Sequence, residues 1–230
     1  MIGIIGAMEE EVIKLKASMQ DVKVTTKASM EFNQGYLQGK EVVVVRSGIG
    51  KVNAALCTQI LADDFKVEVI INTGIAGSLN SELNIGDIVL STDALQHDVD
   101  AVAFGYAPGV IPRMETSIFV AKDALVTLAK QVCEKVNPDI RVFTGRVVSG
   151  DQFIADQSVK ERLITTFQPM CTEMEGAAIA HAAYLNQIPF LIVRAISDKA
   201  DNSAEMDYPT FEAKAIEHTV KLMTALVAAM

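Results

Sequence analysis

The chain has 230 residues, 50% of them hydrophobic, and a formal net charge of −9. That is enough apolar material for one large core without disulfides or a structural metal, so one domain over 1–230 is expected. The acidic balance, with Lys and Arg scattered along the chain, excludes the electrostatic footprint of a nucleic-acid binder and works against polyanionic ligands. Cys57, Cys133 and Cys171 form no CxxC or zinc spacing. They read as small buried thiols in a reducing, cytoplasmic setting. The start, Met1-Ile-Gly-Ile-Ile5, has no charged leader and meets acids at Glu9, so it does not read as a signal peptide. No apolar run approaches the ~18 residues of a membrane span.

In chain order, a short buried strand is expected over 1–7 and a helix over 8–20. Strands follow near 22–28, 31–38 and 40–47, with a turn at Gly39-Lys40. A helix over 51–64 leads to a buried strand over 67–73 that ends in Gly74-Ile-Ala-Gly77. A strand over 86–95 precedes a loop over 98–112, which holds Gly105, Pro108, Gly109 and Pro112. A helix over 122–136 and a strand over 141–149 lead to Gly150-Asp151. Helices over 158–167 and 174–185, an apolar strand over 188–198 and a closing amphipathic helix over 208–227 complete the chain. Strands alternating with helices indicate an α/β fold whose sheet is largely parallel, made mixed by the early hairpins.

The strand 188–198 is apolar and β-branched until Ser197-Asp198, as a strand covered on both faces should be. Such sheets bind ligands at the carboxyl ends of their strands, which is where Asp198 stands, with Asp201 close behind. Four predicted strand ends carry Gly or acid: Gly6-Ala7, Gly74 to Gly77, Gly150-Asp151 and Ser197-Asp198. Glycine there lets a ligand approach the backbone. Taken singly, each also reads as an ordinary turn residue or helix cap. No GK[ST] follows any glycine segment, and Gly48-Ile-Gly50 lacks the third glycine of a dinucleotide fingerprint, so neither a P-loop nor a nicotinamide cofactor is expected.

On the first helix Met8, Val12, Leu15 and Met19 share one face. Glu11 flanks that stripe by about 70° and should enter a partly buried cleft. Glu9 and Glu10 merely suit the helix dipole. The helix from Met174 is apolar nearly all round, yet it opens with Glu173-Met-Glu175. Two carboxylates at a buried helix mouth need partners; one can cap while the other binds. His97, His181 and His218 have no metal spacing. The run His97-Asp98-Val99-Asp100 reads as a hydrogen-bonded loop ahead of a metal site.

Seven segments in order carry a resemblance. They are Gly3-Ile-Ile-Gly-Ala-Met-Glu-Glu-Glu11, Ser47-Gly-Ile-Gly-Lys-Val52, Asn72-Thr-Gly74, Asp98 through Ala103-Phe-Gly-Tyr106, Ser149-Gly-Asp-Gln-Phe153, Glu173-Met-Glu175 and Arg194-Ala-Ile-Ser-Asp198. Together they resemble the bacterial 5′-methylthioadenosine/S-adenosylhomocysteine nucleosidases along the whole chain. The resemblance implies a nucleoside phosphorylase-like three-layer α/β/α sandwich, a homodimer, no cofactor, and hydrolysis of the adenine N-glycosidic bond. It implies that Asp198 protonates adenine N7, oriented by Ser197. Glu11 activates water, assisted by Arg194. Glu175 holds the ribose hydroxyls and stabilises developing positive charge, with Glu173 as a lesser ribose contact. Phe153 and Ile154 lie at the adenine, and Gly77 is a further substrate contact. Met8, Ile49, Met174 and Tyr208 line the 5′-alkylthio slot, with Phe104 and Pro112 reaching in from the neighbouring subunit.

The chain departs from that pattern at Ile75, where Ser is common, at Tyr208, where Phe is frequent, and at Gln152, which replaces a smaller residue. Three other readings stay open: a phosphate-dependent purine nucleoside phosphorylase, a hydrolase of aminodeoxyfutalosine, and a non-enzymatic nucleoside binder on the same fold.

Overall fold

The computed structural model describes residues 1–200 and 204–230, with side chains over 1–200 and 211–230. Its centre is a pair of parallel strands, β5 (Val69–Ser78) and β10 (Phe190–Asp198), buried at every position. They run in register from Phe190 opposite Ile70 to Ile196 opposite Ala76. The uninterrupted apolar run of β10 serves two cores by alternation. Phe190, Ile192 and Ile196 belong to one core, and Leu191, Val193 and Ala195 to the other. The twofold side-chain period of a strand requires this split when both faces are covered.

β1 (Ile2–Gly6) lies parallel between β5 and β4 (Lys40–Arg46). β3 (Met30–Leu37) and β2 (Gln20–Lys27) extend that edge as antiparallel hairpins. On the other side β10 pairs antiparallel with β6 (Ile88–Gln96), which pairs parallel with β8 (Val142–Ser149). β8 pairs parallel with β9 (Cys171–Glu173), and β9 returns to β5 at Gly77 and Ser78. That half of the sheet therefore closes on itself, with β7 (Phe119–Val120) as a short appendage to β6. β7 and β9 are absent from the sequence-based expectation, being too short to show any periodicity.

Helices cover both faces. α2 (Lys51–Asp63) and α5 (Gly176–Leu185) pack on one side. α1 (Glu9–Ala17), α3 (Asp123–Val136) and α6 (Ala204–Ala229) pack on the other, giving three layers. α4 (Gln157–Phe167) closes a smaller cluster with Leu79, Leu95 and Val148. The small residues of α5 let it sit close to the sheet: a Cβ on Gly176 would already meet Ile192 Cδ1 at 3.0 Å.

Several boundaries move. β5 continues through Gly74 to Gly77 and ends at Ser78, so that glycine segment is strand rather than a turn after it. The helix expected from Met174 begins at Gly176 with Glu175 at its N-cap, because Glu173 belongs to β9. α1 stops at Ala17, and Gln20 already opens β2.

Candidate active site

β1, β5 and β10 run parallel, so their carboxyl ends open on the same edge of the sheet. Four connections meet there: the turn from β1 into α1, the Ser47–Gly50 turn into α2, the loop after β8, and the junction of β9 with α5. Between them lies a cavity of about 230 Å³. Glu11, Glu173, Glu175, Ser197 and Asp198 line it with Met8, Ile49, Gly77, Phe153 and Met174. A small adjoining recess adds Ile154 and Gln152. Residues from six separate stretches of the chain are thus brought to one wall.

Glu11 is buried, as its place beside the apolar stripe of α1 predicts; Val12 and Leu15 on that stripe are fully buried. Its Oε2 accepts N–H bonds from Ala7 at 2.7 Å and Met8 at 3.0 Å, and its Oε1 accepts one from Ile75 at 3.2 Å. Burial pushes its carboxyl above the ordinary range, opposed by the charge of Arg194 and by those three N–H donors. Glu9 instead pairs with Lys16, and Glu10 is exposed.

Asp198 sits at the end of β10, buried. Ser197 Oγ donates to its Oδ2 at 2.8 Å, and the Ala200 N–H donates to its Oδ1 at 2.8 Å. The register between β10 and β5 slips at Ser197, so that Asp198 rather than Ser197 stands opposite Gly77. A bulge of this kind re-aims one side chain. Here the re-aimed side chain is the acid.

Two glycines of β5 make room for the acids. A Cβ on Gly74 would stand 2.5 Å from Glu11 Oε1 and 2.8 Å from Arg194 Nη1. A Cβ on Gly77 would stand 2.7 Å from Asp198 Oδ1. The two are three residue steps apart along the strand, roughly 10 Å at ~3.3 Å per residue.

Glu173 and Glu175 divide the work at the α5 mouth. Glu173 Oε2 accepts the N–H groups of Glu175 at 3.2 Å and Gly176 at 2.7 Å, and the carboxylate also holds Ser149 Oγ and the Arg194 guanidinium. It caps the helix and is saturated by the protein. Glu175 accepts the Gly50 N–H at 2.8 Å and otherwise faces the cavity. Burial, then the charge of Glu173, pushes its carboxyl up to about 8.

Arg194 is fully buried, bonded to Glu173 and Asn72, and does not line the cavity. Arg194 thus bears on the cavity from behind its wall, through its charge on Glu11 and its bonds to Glu173. Asn72, a lone amide in the apolar β5, signals this buried network; sequence reasoning gave it no role. Thr172, on the unforeseen β9, also lines the cavity with its hydroxyl buried and unpaired among the described residues.

Phe104 and Pro112 are exposed and stand apart from the cavity of their own chain. The side chain of Tyr208, and Asp201, lie outside the described residues. Ile75 lines the cavity as an apolar wall, presenting only its N–H to Glu11. Asp98 is taken up by Lys51 Nζ at 2.6 Å, and Asp100 by the Val102 N–H at 3.0 Å, so the 97–100 run is a hydrogen-bonded loop. The three cysteines are buried and unbridged. Among the described residues no helix is long and apolar enough to cross a membrane.

A mixed sheet with this acid-lined cavity at its strand ends defines a protein of the phosphorylase superfamily, whose family model matches residues 1–228. Within that class, the 5′-methylthioadenosine/S-adenosylhomocysteine nucleosidase of Staphylococcus carnosus is 44% identical over 228 residues, 99% of each chain. The nucleosidase of Neisseria meningitidis, solved in complex with methylthio-immucillin-A, superposes with a TM-score of 0.95 at 36% identity, covering 100% of this chain and 99% of that one. The futalosine hydrolase of Helicobacter pylori gives 0.94 at 33% identity, covering 100% and 97%. The chain belongs to the 5′-methylthioadenosine/S-adenosylhomocysteine nucleosidase family.

Proposed function

We propose that residues 1–230 form one nucleosidase domain that hydrolyses the adenine N-glycosidic bond of 5′-methylthioadenosine and S-adenosylhomocysteine. The products are adenine and the 5-thioribose. The observation that carries this reading is the convergence of Glu11, Glu175 and Asp198, all buried, on one cavity with Phe153 at its side.

Adenine leaves poorly as an anion. Asp198 gives its proton to N7 as the bond from C1′ to N9 stretches, and the base departs neutral. The Ser197 hydroxyl, bonded to Oδ2, holds the carboxyl in place. Positive charge develops on the sugar, and a water attacks C1′ while Glu11 takes its proton. The three N–H donors around Glu11 keep it aimed, and Arg194 favours its ionised form. Glu175 holds the ribose hydroxyls and, once ionised, stabilises the cationic sugar, where a charge is worth most. Phe153 stacks on adenine, with the Ile154 backbone at its edge, and Gly77 leaves space for the base beside Asp198. Met8, Ile49 and Met174 receive the 5′-alkylthio group, with Tyr208 assigned to the same slot.

Phe104 is 84% exposed and Val102 50% exposed on the 98–112 loop, and Ile49 and Val52 are exposed at the start of α2. Large apolar side chains left bare near a site mark a contact surface. We assign it to a second copy of the chain, whose Phe104 and Pro112 complete the 5′ slot. Three buried unbridged thiols suit a reducing cytoplasm.

The phosphorylase reading needs cations or a nest of donors for phosphate. The cavity lining contains no Lys or Arg among the described residues, and it carries four acids. The likeness to a futalosine hydrolase supports a second substrate class, adenine nucleosides with a larger 5′ group, on the same chemistry. The test is incubation with 5′-methylthioadenosine in phosphate-free buffer. Free adenine and 5-methylthioribose are expected; release that requires phosphate would make the protein a phosphorylase. Assays with S-adenosylhomocysteine and aminodeoxyfutalosine then rank the 5′ groups.

A further inference from the structure

Among the described residues Glu175 is held by the protein through one N–H, that of Gly50 at the N-cap of α2. The next residue, Lys51, is pinned twice. Its own N–H donates to Asp151 Oδ1 at 2.8 Å, and its Nζ reaches Asp98 Oδ1 at 2.6 Å. The cycle closes where the Asp151 N–H donates to Asp98 Oδ2 at 3.0 Å. These three residues come from the start of the 98–112 loop, the start of α2 and the loop after β8. None of them lines the main cavity.

The Lys51–Asp98 ion pair is mostly sheltered, with side chains 19% and 16% exposed. Partial burial and a closed hydrogen-bonded cycle set it apart from a surface pair of negligible worth. Gly50 has a φ of 97°, and a Cβ there would meet Asp151 Oδ1 at 3.1 Å. The N–H that faces Glu175 is therefore oriented by the cycle next to it.

We propose that Asp98, Lys51 and Asp151 form a positioning clamp that sets the Gly50 N–H, and through it the Glu175 carboxylate, for the ribose hydroxyls. The clamp rests on the reading of Glu175 as the ribose-binding group. Asp98 and Lys51 touch no substrate in this assignment; they act through backbone. Because Asp98 also opens the loop that carries Phe104, the clamp ties the ribose contact of one pocket to the loop assigned to the neighbour's pocket.

The test compares two ligands on the wild type, Asp98→Asn and Lys51→Met. One is methylthiotubercidin, a 7-deaza nucleoside that lacks the N7 to be protonated and is bound uncleaved. The other is its 2′,3′-dideoxy form. Dissociation constants are read by calorimetry, and melting temperatures confirm folding. A clamp acting through Glu175 weakens the diol ligand about tenfold in either variant and the dideoxy ligand less than about twofold, a non-additive cycle between protein and ligand groups. Equal weakening of both ligands would make the cluster a general scaffold and overturn the clamp, as would no weakening of either. If Asp98→Asn does not fold, Lys51→Met breaks the same contact from the other side. A wild type that cannot tell the two ligands apart would overturn the diol role of Glu175 and the clamp with it. A wild type that binds both with the expected preference but releases no adenine from methylthioadenosine would overturn hydrolysis alone, while the variants still decide the clamp.

Discussion

Gly74 stands so close to Glu11 that a methyl group on it would lie 2.5 Å from the Glu11 Oε1. The absence of a side chain in the middle of a buried strand is what admits the carboxylate of another element. Gly74→Ala should therefore displace Glu11 and press on Arg194 together. The expected outcome is a loss of about 1–3 kcal/mol in stability from overpacking, with a larger proportional loss in kcat than in ligand affinity. Thermal melts and steady-state kinetics on methylthioadenosine check both. An active, fully stable Gly74→Ala enzyme would show that Glu11 sits elsewhere.

Asp198→Asn and Glu11→Gln each keep shape and remove a group proposed to transfer a proton. Each should lower the rate of adenine release by roughly 10²–10⁴ or more, while methylthiotubercidin still binds. In the wild type, Glu11 must be ionised to accept a proton, and burial holds its carboxyl above the ordinary 4.5. The kcat/KM profile should accordingly fall on its acid side at a pH above that value. Full turnover by either variant would move the acid or base role to another residue.

Glu175 carries a stability signature of its own. Its ordinary value is 4.5, and in the folded protein burial and Glu173 push it up to about 8. Between those two values the folded state keeps a proton that the unfolded state releases. Stability should thus fall as pH rises from about 4.5 to about 8 and level off above. Glu175→Gln retains an acceptor for the Gly50 N–H and removes the charge. It should flatten this slope and be more stable than wild type at pH 8, by on the order of 1 kcal/mol or more. Melting temperatures measured from pH 5 to pH 9 decide it; parallel curves for the two proteins would remove Glu175 as the source.

Phe104→Ala should weaken methylthioadenosine about tenfold in KM, the scale of losing an apolar contact worth about two methylenes, while adenosine changes little. Equal effects on both substrates would place Phe104 away from the 5′ slot. Sedimentation of the same variant reports whether the exposed loop also holds two copies together.

Much of this site is visible in the order of residues. The burial of Glu11 follows from helical spacing, since it flanks the Val12 and Leu15 face. The placement of Asp198 follows from an apolar run that ends in an acid, because covered strands present ligands at their carboxyl ends. The two carboxylates at Glu173 and Glu175 announce themselves as a cap and a binder by their number alone. Other features stay hidden for physical reasons. β9 has only three residues and is stabilised by its neighbours β5 and β8, so no local pattern marks it. Gly74 and Gly77 read as turn residues because local preference for glycine in turns is strong, whereas their use here depends on side chains that arrive from α1 and from the end of β10.

The sequence by itself determined the alternation of strand and helix, the sign of the charge, the burial of the acids and the membership of a family, since each is written in short-range pattern or in ordered motifs. Only the tertiary structure decided which of the two carboxylates at the mouth of α5 is saturated and which keeps free acceptor capacity, that Arg194 lies behind the wall, and that Lys51, Asp98 and Asp151 form one cycle. Those outcomes depend on contacts between residues tens of positions apart, and hydrogen-bond partnership at about 3 Å is set by packing rather than by any local preference.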